Sequence, residues 1–231
     1  MNRKHIFWVL LVFIFISCQK DDQKPIVLVQ EDLKYYPLNV GSYIDYEIEY
    51  IFWNDFAETV DTSIYILREF VESKVTNYSG DTLYRIEQYT KNHPDSAWSI
   101  PHIVFAGMRE NYVYKVEDNI NYVKIILPVQ ENIKWNGNAY NSLPNQVYRY
   151  LSVGNQISFS SLHFDKSMHI LQEDNQTLIN QDMEEEMYAL NIGLIYKKQK
   201  HLKKTYNPIN QSFEISSGYS LTQIITNYGT L

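Results

Sequence analysis

The sequence predicts an all-β protein: a single antiparallel β domain whose sheet is curved, half-barrel or barrel-like, with little helix. Apolar and polar residues alternate with a period of two in many short runs, which is typical of half-buried strands. The chain contains 20 Tyr and 10 Phe, and aromatic residues favour pleated sheets with one dry face. Turn-forming residues separate the runs, and no helical stripe extends over three turns, so the pattern indicates a sheet closed or folded on itself.

The alternation is clearest in the first run, where Tyr46, Ile48 and Tyr50 share one face and Glu47 and Glu49 share the other. Comparable runs follow to the end of the chain. The predicted strands are one from residue 42 onward and others at 63–71, 82–90, 112–116, 122–127, 147–153, 168–171, 187–190, 194–200 and 219–226.

Turn signals lie between these runs. The segments 77–81, 92–95 and 207–210 combine Asn, Asp, Gly, Ser and Pro, which tolerate turn dihedral angles. Asn136-Gly137 is a dipeptide favoured in two-residue hairpins. The acidic segment 175–187 is the best candidate for an exception to the β pattern, as one helix or a loop.

The first 17 residues have the parts of a secretory signal peptide. Arg3 and Lys4 form a cationic head, an apolar run follows at 6–16, and the small Ser17 precedes Cys18. The run is shorter than the about 20 residues that span a bilayer. We therefore predict a signal peptide at 1–17 that is removed.

Cys18 is the only cysteine of the chain, so it has no partner for an internal disulfide. The segment 15–18, Phe-Ile-Ser-Cys, resembles the lipobox of bacterial lipoproteins, with Phe15 in place of the usual Leu and Ile16 in place of Ala or Ser. The resemblance implies acylation of Cys18, which holds a protein to the membrane. Residues 18–33 are then the lipidated cysteine and a tether, and residues 34–231 are the β domain.

The residues after the cysteine are Gln19, Lys20, Asp21 and Asp22. A lysine followed by two acidic residues at this place resembles the surface-export signal of Bacteroidota lipoproteins. The resemblance implies a lipid-anchored protein in the outer leaflet of the outer membrane, facing the cell surface. The alternative is an ordinary solvated tether on a periplasm-facing protein.

Two further segments resemble uncharacterised bacterial lipoproteins. Residues 35–46, YYPLNVGSYIDY, are similar to their opening YPLxxGxxWxY segment, and residues 188–197, YALNIGLIYK, are similar to their YAxGVGLVxK segment. Asn191 stands where Gly is common. The resemblance implies a curved antiparallel sheet, sometimes a half-barrel like those of lipoprotein carriers, and it implies no catalytic residues.

The net charge of −7 argues against nucleic-acid binding, which depends on neutralising phosphates. The basic segment 197–204 is interpreted as a solvated strand end and turn. An acidic head group or a surface glycan is its alternative partner.

Metal and nucleophile patterns are weak. His163, Asp165 and His169 share a face if extended, but His163 and His169 then lie about 20 Å apart, and no HExxH or paired-cysteine spacing exists. Ser160 and Ser161 lack the glycines of a nucleophile elbow. No metal site, cofactor or catalytic residue is predicted.

Acidic residues provide a candidate carboxylate pair. The cluster at 182–186 and the Glu47/Glu49 face supply acids, and glycosidases use two carboxyl groups about 5 to 9.5 Å apart. Alternating acids on an exposed strand are also an ordinary solubility feature.

Aromatic rings are the candidate ligand platforms. Trp53, Trp98 and Trp135 lie near predicted turns, where they can stack on a glycan or an apolar ligand, and Tyr148 and Tyr150 share a strand face. Core packing is the competing role for all of them.

The leading hypothesis is a surface-exposed lipoprotein that binds a ligand or a partner protein and is not an enzyme. One alternative is a structural accessory subunit of an outer-membrane uptake or secretion complex, attached to a barrel protein. A second alternative is a glycan-directed hydrolase that uses a carboxylate pair.

Overall fold

The protein is described by a computed structural model over residues 27–78 and 80–231. Strands make up 68% of it and helix 2%. The predicted signal peptide, Cys18 and the export residues Gln19 to Asp22 lie outside the described residues. The elements in chain order are α1 (Val27–Leu33), β1 (Ser42–Asn54), β2 (Thr59–Thr76), β3 (Thr82–Lys91), β4 (His102–Arg109), β5 (Tyr112–Glu117), β6 (Ile120–Ile126), β7 (Lys134–Asn136), β8 (Val147–Phe159), β9 (Leu162–Gln176), β10 (Asn180–Ala189), β11 (Gly193–Asn207) and β12 (Ser212–Thr230).

All twelve strands form one antiparallel sheet in the order β6-β5-β4-β3-β2-β1-β12-β11-β10-β9-β8-β7. Each strand pairs with its neighbours in sequence, except that β6 and β7 are the two edges of the sheet. Strand β12 returns to lie beside β1 and joins the two halves. The sheet is nearly closed and barrel-shaped, which confirms the predicted all-β, barrel-like fold.

Backbone and side-chain hydrogen bonds connect the edge strand β6 to β7, β8 and the residue that follows β7. The Val123 amide donates to the Gly137 carbonyl at 2.8 Å, and the Trp135 indole N–H donates to the Val123 carbonyl at 3.0 Å. The Tyr150 hydroxyl accepts from the Ile126 amide at 3.0 Å and donates to the Ile126 carbonyl at 2.7 Å. These bonds satisfy edge groups that an open sheet leaves unpaired.

The end of the predicted tether is folded. Helix α1 has seven residues, Leu33 packs against the largest apolar cluster, and the Asp32 carboxylate accepts from the Val129 amide at 2.8 Å. No helix in the described part of the chain has the length and apolarity needed to cross a membrane.

The acidic segment 175–187 is neither a helix nor a loop. It forms the end of β9 and most of β10, joined by a short turn at 177–179. The β10 part of the segment pairs with β9 on one side and with β11 on the other, and this pairing makes it a strand. The acidity of the segment does not predict that pairing. At Gln172 a bulge inserts one extra residue in β9, because Glu184 pairs with Glu173 while Glu185 pairs with Leu171.

Three further sequence details differ from the structure. Strand β4 was not predicted, because its apolar run does not alternate, and β7 is too short to show a pattern. Asn136-Gly137 does not form a two-residue hairpin: the connection from β7 to β8 covers 137–146, and the Gly137 amide donates to the Gln146 carbonyl at 2.9 Å.

The two ends of the barrel differ. At the helix end, α1 leads into the sheet and β10 turns into β11. At the loop end lie the connections that follow β1, β3, β5, β7, β9 and β11. Apolar residues are exposed in several loop-end connections: Phe56, Ile100, Leu178 and Ile209.

Candidate functional site

Two cavities in the barrel interior are lined by described residues. The first has a volume of about 350 Å³ and lies at the helix end, where Pro37, Asn191 and Thr230 line it. The second has a volume of about 320 Å³ and extends towards the loop end, where Asp118 and Leu143 line it. Four charged residues line both cavities: Glu117, Lys124, Glu186 and Lys197.

The segments 35–46 and 188–197 meet in the wall of the first cavity. The Asn191 amide donates to the Lys34 carbonyl at 2.7 Å. The Tyr46 hydroxyl donates to the Leu194 carbonyl at 3.0 Å across 148 positions of sequence. The rings of Tyr36 and Tyr188 lie 5.8 Å apart. Segments that are distant in the chain therefore build one continuous wall.

The turn between β10 and β11 depends on its backbone conformation. Asn191 has a φ of 66° and Gly193 a φ of 107°. Asparagine tolerates the left-handed region better than most residues, so it can occupy this turn position. A Cβ on Gly193 would stand 3.5 Å from Ile44 Cδ1 and 3.7 Å from Pro37 Cδ, so the turn packs directly against the first segment.

The floor of the first cavity is a charged belt, formed by Glu69, Lys115, Glu117, Lys124, Glu186 and Lys197. The Lys115 ammonium lies 2.8 Å from Glu69 Oε1 and 2.7 Å from Glu117 Oε1. The Lys124 ammonium lies 2.6 Å from Glu186 Oε1, and the Tyr188 hydroxyl donates to Glu186 Oε2 at 2.6 Å. Buried charges persist when they are paired and hydrogen-bonded in this way.

The pKa values of the belt favour the charged forms. The Lys115 ammonium holds the pKa of the Glu117 carboxyl well below its ordinary value. Burial alone would raise the pKa of Glu186, but Lys124 and Lys197 outweigh burial and lower it. Burial likewise opposes the charge of Lys124, and Glu186 more than compensates, so the pKa of Lys124 is raised. Glu117, Glu186 and Lys124 are therefore ionised at neutral pH.

Lys197 has a different environment from the other two belt lysines. Within residues 27–78 and 80–231, its ammonium group makes no hydrogen bond and no ion pair shorter than 4.0 Å, although it lowers the pKa of Glu117, Glu184 and Glu186 from a greater distance. It lines both cavities. Its donors are therefore available to a bound molecule.

A second polar cluster lies beside the second cavity. Single ligand atoms of Glu173, Glu184 and His201 all lie within 4.8 Å of one another. His201 Nε2 is 2.8 Å from Glu184 Oε1, and His201 Nδ1 is 3.2 Å from Asp182 Oδ1. The hydrogen bond to Glu184 is the main cause of a raised pKa at His201.

The pKa values of the two glutamates in this cluster are shifted in opposite directions. Burial, followed by the charges of Glu184 and Asp182, raises the pKa of Glu173. Burial would also raise the pKa of Glu184, but the bond to His201 and nearby charges lower it.

The predicted alternative pair, Glu47 and Glu49, is exposed on the opposite face to the buried Tyr46. Catalysis by a carboxylate pair stays a prediction.

The predicted tryptophan platforms do not come together. Trp135 is buried and connects the sheet edges, so it is a core residue. The centre of the Trp98 ring lies 4.9 Å from the Arg68 guanidinium and 4.5 Å from the Lys91 ammonium. Trp53 is half-buried in β1. None of the three lines either cavity. Ligand stacking on Trp53 and Trp98 stays a prediction.

The predicted histidine face is also divided. His163 Nδ1 is 2.8 Å from Ser158 Oγ on an exposed strand end, whereas His169 Nε2 is 2.9 Å from Glu185 Oε2, on the opposite sheet face to Glu186. The histidine that joins a cluster is His201, which the sequence placed in a basic segment. Its carboxylate partners come from other strands, so spacing in the sequence could not reveal them.

The charged belt was also missed by sequence reasoning, because alternating charges were assigned to the solvent face. A signal was available in β5, where Lys115 and Glu117 alternate with Tyr114 and Val116. A strand with apolar residues opposite its charges can place those charges in a barrel interior.

Comparison of the chain with protein-family models, with curated proteins and with solved structures gave no match. The interpretation of the site therefore depends on its own geometry.

Proposed function

We propose that this protein is a non-catalytic, lipid-anchored binding protein that holds a small amphipathic ligand in the first cavity. The observation that carries the proposal is a cavity of about 350 Å³ with apolar walls and a charged floor. Small-molecule sites typically have volumes of about 300 to 1,000 Å³, with apolar walls and a few convergent polar groups.

The lining indicates the chemistry of the ligand. Leu38, Ile44, Val71 and Ile86 provide apolar wall, and burial of a ligand against them contributes about 25 cal/mol per Å² of apolar surface. At the floor, Lys197 offers donors, while the other belt lysines are already paired. We infer an apolar body with a hydrogen-bond-accepting head group that reaches Lys197.

The proposed location is the outer membrane, with Cys18 acylated and the barrel at the cell surface. Support comes from the lipobox-like segment 15–18 and from the acidic export-like segment 19–22. In this arrangement the tether joins the barrel at the helix end, where α1 packs and the first cavity lies.

Titration with 8-anilino-1-naphthalenesulfonate, an aromatic sulfonate, tests the binding site. We expect saturable binding of one probe per chain. Ile192→Trp fills the cavity lining at the β10–β11 turn and should weaken binding by at least about tenfold, which is about 1.4 kcal/mol. Ile64→Trp is the matched control, because Ile64 is 59% exposed and lines neither cavity.

Circular dichroism should show native strand content in both variants. Equal affinity in wild type and Ile192→Trp, or binding that never saturates, would overturn the proposed site.

The loop-end residues favour a second candidate function, that of an accessory subunit. Phe56, Ile100 and Ile209 are at least 90% exposed at one end of the barrel, and exposed apolar groups of this kind mark interaction surfaces. Asp55 and Glu58 flank Phe56, which favours a protein partner over an anionic lipid surface. A photo-crosslinking residue at position 56 should attach to one outer-membrane barrel protein, whereas the same residue at position 47 should not.

A further inference from the structure

We propose that Glu173, Glu184 and His201 bind one divalent transition-metal ion, best matched by Zn²⁺, beside the second cavity. The site is distinct from the first cavity, so the proposal goes beyond the ligand binding described above.

The donor set and its spacing match zinc. Imidazole nitrogen and carboxylate oxygen are both zinc ligand types, and three protein ligands with an open fourth position are the arrangement of catalytic zinc sites. Ligands bound to one tetrahedral ion at about 2.1 Å lie about 3.4 Å from one another. The three donor atoms already lie within 4.8 Å of one another, which is near this spacing. Ca²⁺ and Mg²⁺ are poorer matches, because they prefer six or more oxygen ligands and the set contains nitrogen.

The surroundings orient the donors. His201 Nδ1 lies 3.2 Å from Asp182 Oδ1, and a carboxylate at this position holds the imidazole with Nε2 directed to the ion. Gln146 Nε2 lies 3.5 Å from Glu173 Oε2 and 3.4 Å from Glu184 Oε2. Gln146 therefore leaves Glu173 Oε1 available as a ligand, whereas Glu184 Oε1 and His201 Nε2 share a 2.8 Å hydrogen bond that the ion replaces.

An independent observation indicates a ligand on the cavity side. Gln172, the bulge residue next to Glu173, is 3% exposed and lines the second cavity together with Glu184. Its Nε2 is buried and has no hydrogen-bond partner. An unsatisfied buried donor is costly, and an acceptor in the fourth position of a zinc ion, directed into the cavity, satisfies it.

Charge gives a further reason for a cation. Glu173 and Glu184 stand directly opposite each other in the β9–β10 ladder. Like charges at opposed positions destabilise a sheet. A divalent ion neutralises the two carboxylates without requiring a proton on His201.

Isothermal titration of EDTA-treated full-length protein with ZnCl₂ tests the site. We expect one ion per chain in wild type, and at least a tenfold weaker affinity in His201→Gln and Glu173→Gln. Asp182→Asn keeps all three ligands and should weaken binding by about 10- to 100-fold. His169→Gln is the matched control, because His169 contacts Glu185 on the opposite sheet face and lacks a second carboxylate within 4.0 Å in the described chain.

X-ray absorption at the zinc edge should show one nitrogen and at least two oxygen ligands. Circular dichroism identifies any variant that fails to fold, and Glu173→Gln then substitutes for His201→Gln. Zinc affinity equal in wild type and Glu173→Gln, an equal loss in His169→Gln, or Ca²⁺ binding as tight as Zn²⁺ would each overturn the proposal.

Discussion

Lys124 and Glu186 are 62 positions apart, yet the Lys124 ammonium lies 2.6 Å from Glu186 Oε1 in the barrel interior. They belong to β6 and β10, which share no ladder, so the pair links the two halves of the sheet from inside. Glu186 is 1% exposed. The pair shows that the barrel interior is polar. It also forms only when the sheet closes, because β6 and β10 are not neighbours in the sheet.

Removal of Lys124 should strongly destabilise the protein. Lys124→Met leaves the Glu186 carboxylate without its cation, and breaking a buried pair typically costs about 3–5 kcal/mol. Lys124→Met combined with Glu186→Leu should recover part of that free energy of unfolding. Urea denaturation measures both. Lys34→Met, which breaks an exposed pair with Glu31, is the control and should cost less than about 1 kcal/mol.

Stability should fall in acid because belt carboxylates have depressed pKa values. The pKa of Glu117 and of Glu186 lies below the ordinary value of 4.5 in the folded protein. Unfolding therefore takes up protons, and the stabilisation is present above pH 4.5 and lost as pH falls through the folded-state pKa values. Urea denaturation between pH 7 and 3 should show this decrease.

Glu117→Gln tests the origin of the acid sensitivity. The variant should be less stable than wild type at pH 7 and should lose less stability between pH 7 and 3. The exposed Glu49→Gln is the control and should follow the wild-type curve. Parallel curves for Glu117→Gln and wild type would contradict the assignment to the belt.

Gly218→Ala should destabilise β12 by more than backbone strain alone. Gly218 has a φ of 119°, and a Cβ there would overlap the backbone carbonyl of His201. Gly154 has a φ of 82° with open space around it, so Gly154→Ala isolates the conformational cost of about 1–2 kcal/mol. Thermal denaturation should show a clearly larger loss for Gly218→Ala; equal losses would contradict the close approach.

Tyr150→Phe should loosen the barrel closure. The phenol both donates to and accepts from the backbone of Ile126, and its loss leaves two edge groups unpaired at about 1–3 kcal/mol. Hydrogen exchange at the Ile126 amide should accelerate more than exchange in β11. Tyr206→Phe, at an exposed ring, is the control and should leave exchange unchanged.

Cys18→Ala should release the protein from the membrane. Metabolic labelling with a palmitate analogue should mark wild type and not the variant. Alanine at Lys20, Asp21 and Asp22 should keep the label but remove sensitivity to protease added to intact cells. Labelling of Cys18→Ala would contradict lipidation at this residue.

The all-β class and the positions of most strands along the chain followed from local pattern. A period of two along a strand depends only on neighbouring residues, so it is visible around Tyr46 and Ile48 without any partner strand. The acidic segment 175–187 could not be assigned in this way, because its partners in β9 and β11 determine that it is a strand.

The sequence by itself determined which residues share a sheet face and where most turns interrupt the strands, and the leader and export signal that it indicates stay predictions. Only the tertiary structure decided which polar faces point inward. An alternating strand has two faces, and the closure of the sheet at β6 and β7 selects the enclosed one. That closure brings Lys124 to Glu186. The pairing of β9 and β11 with β10 brings His201 to Glu173. Charges on different strands compensate one another only when the strands are assembled.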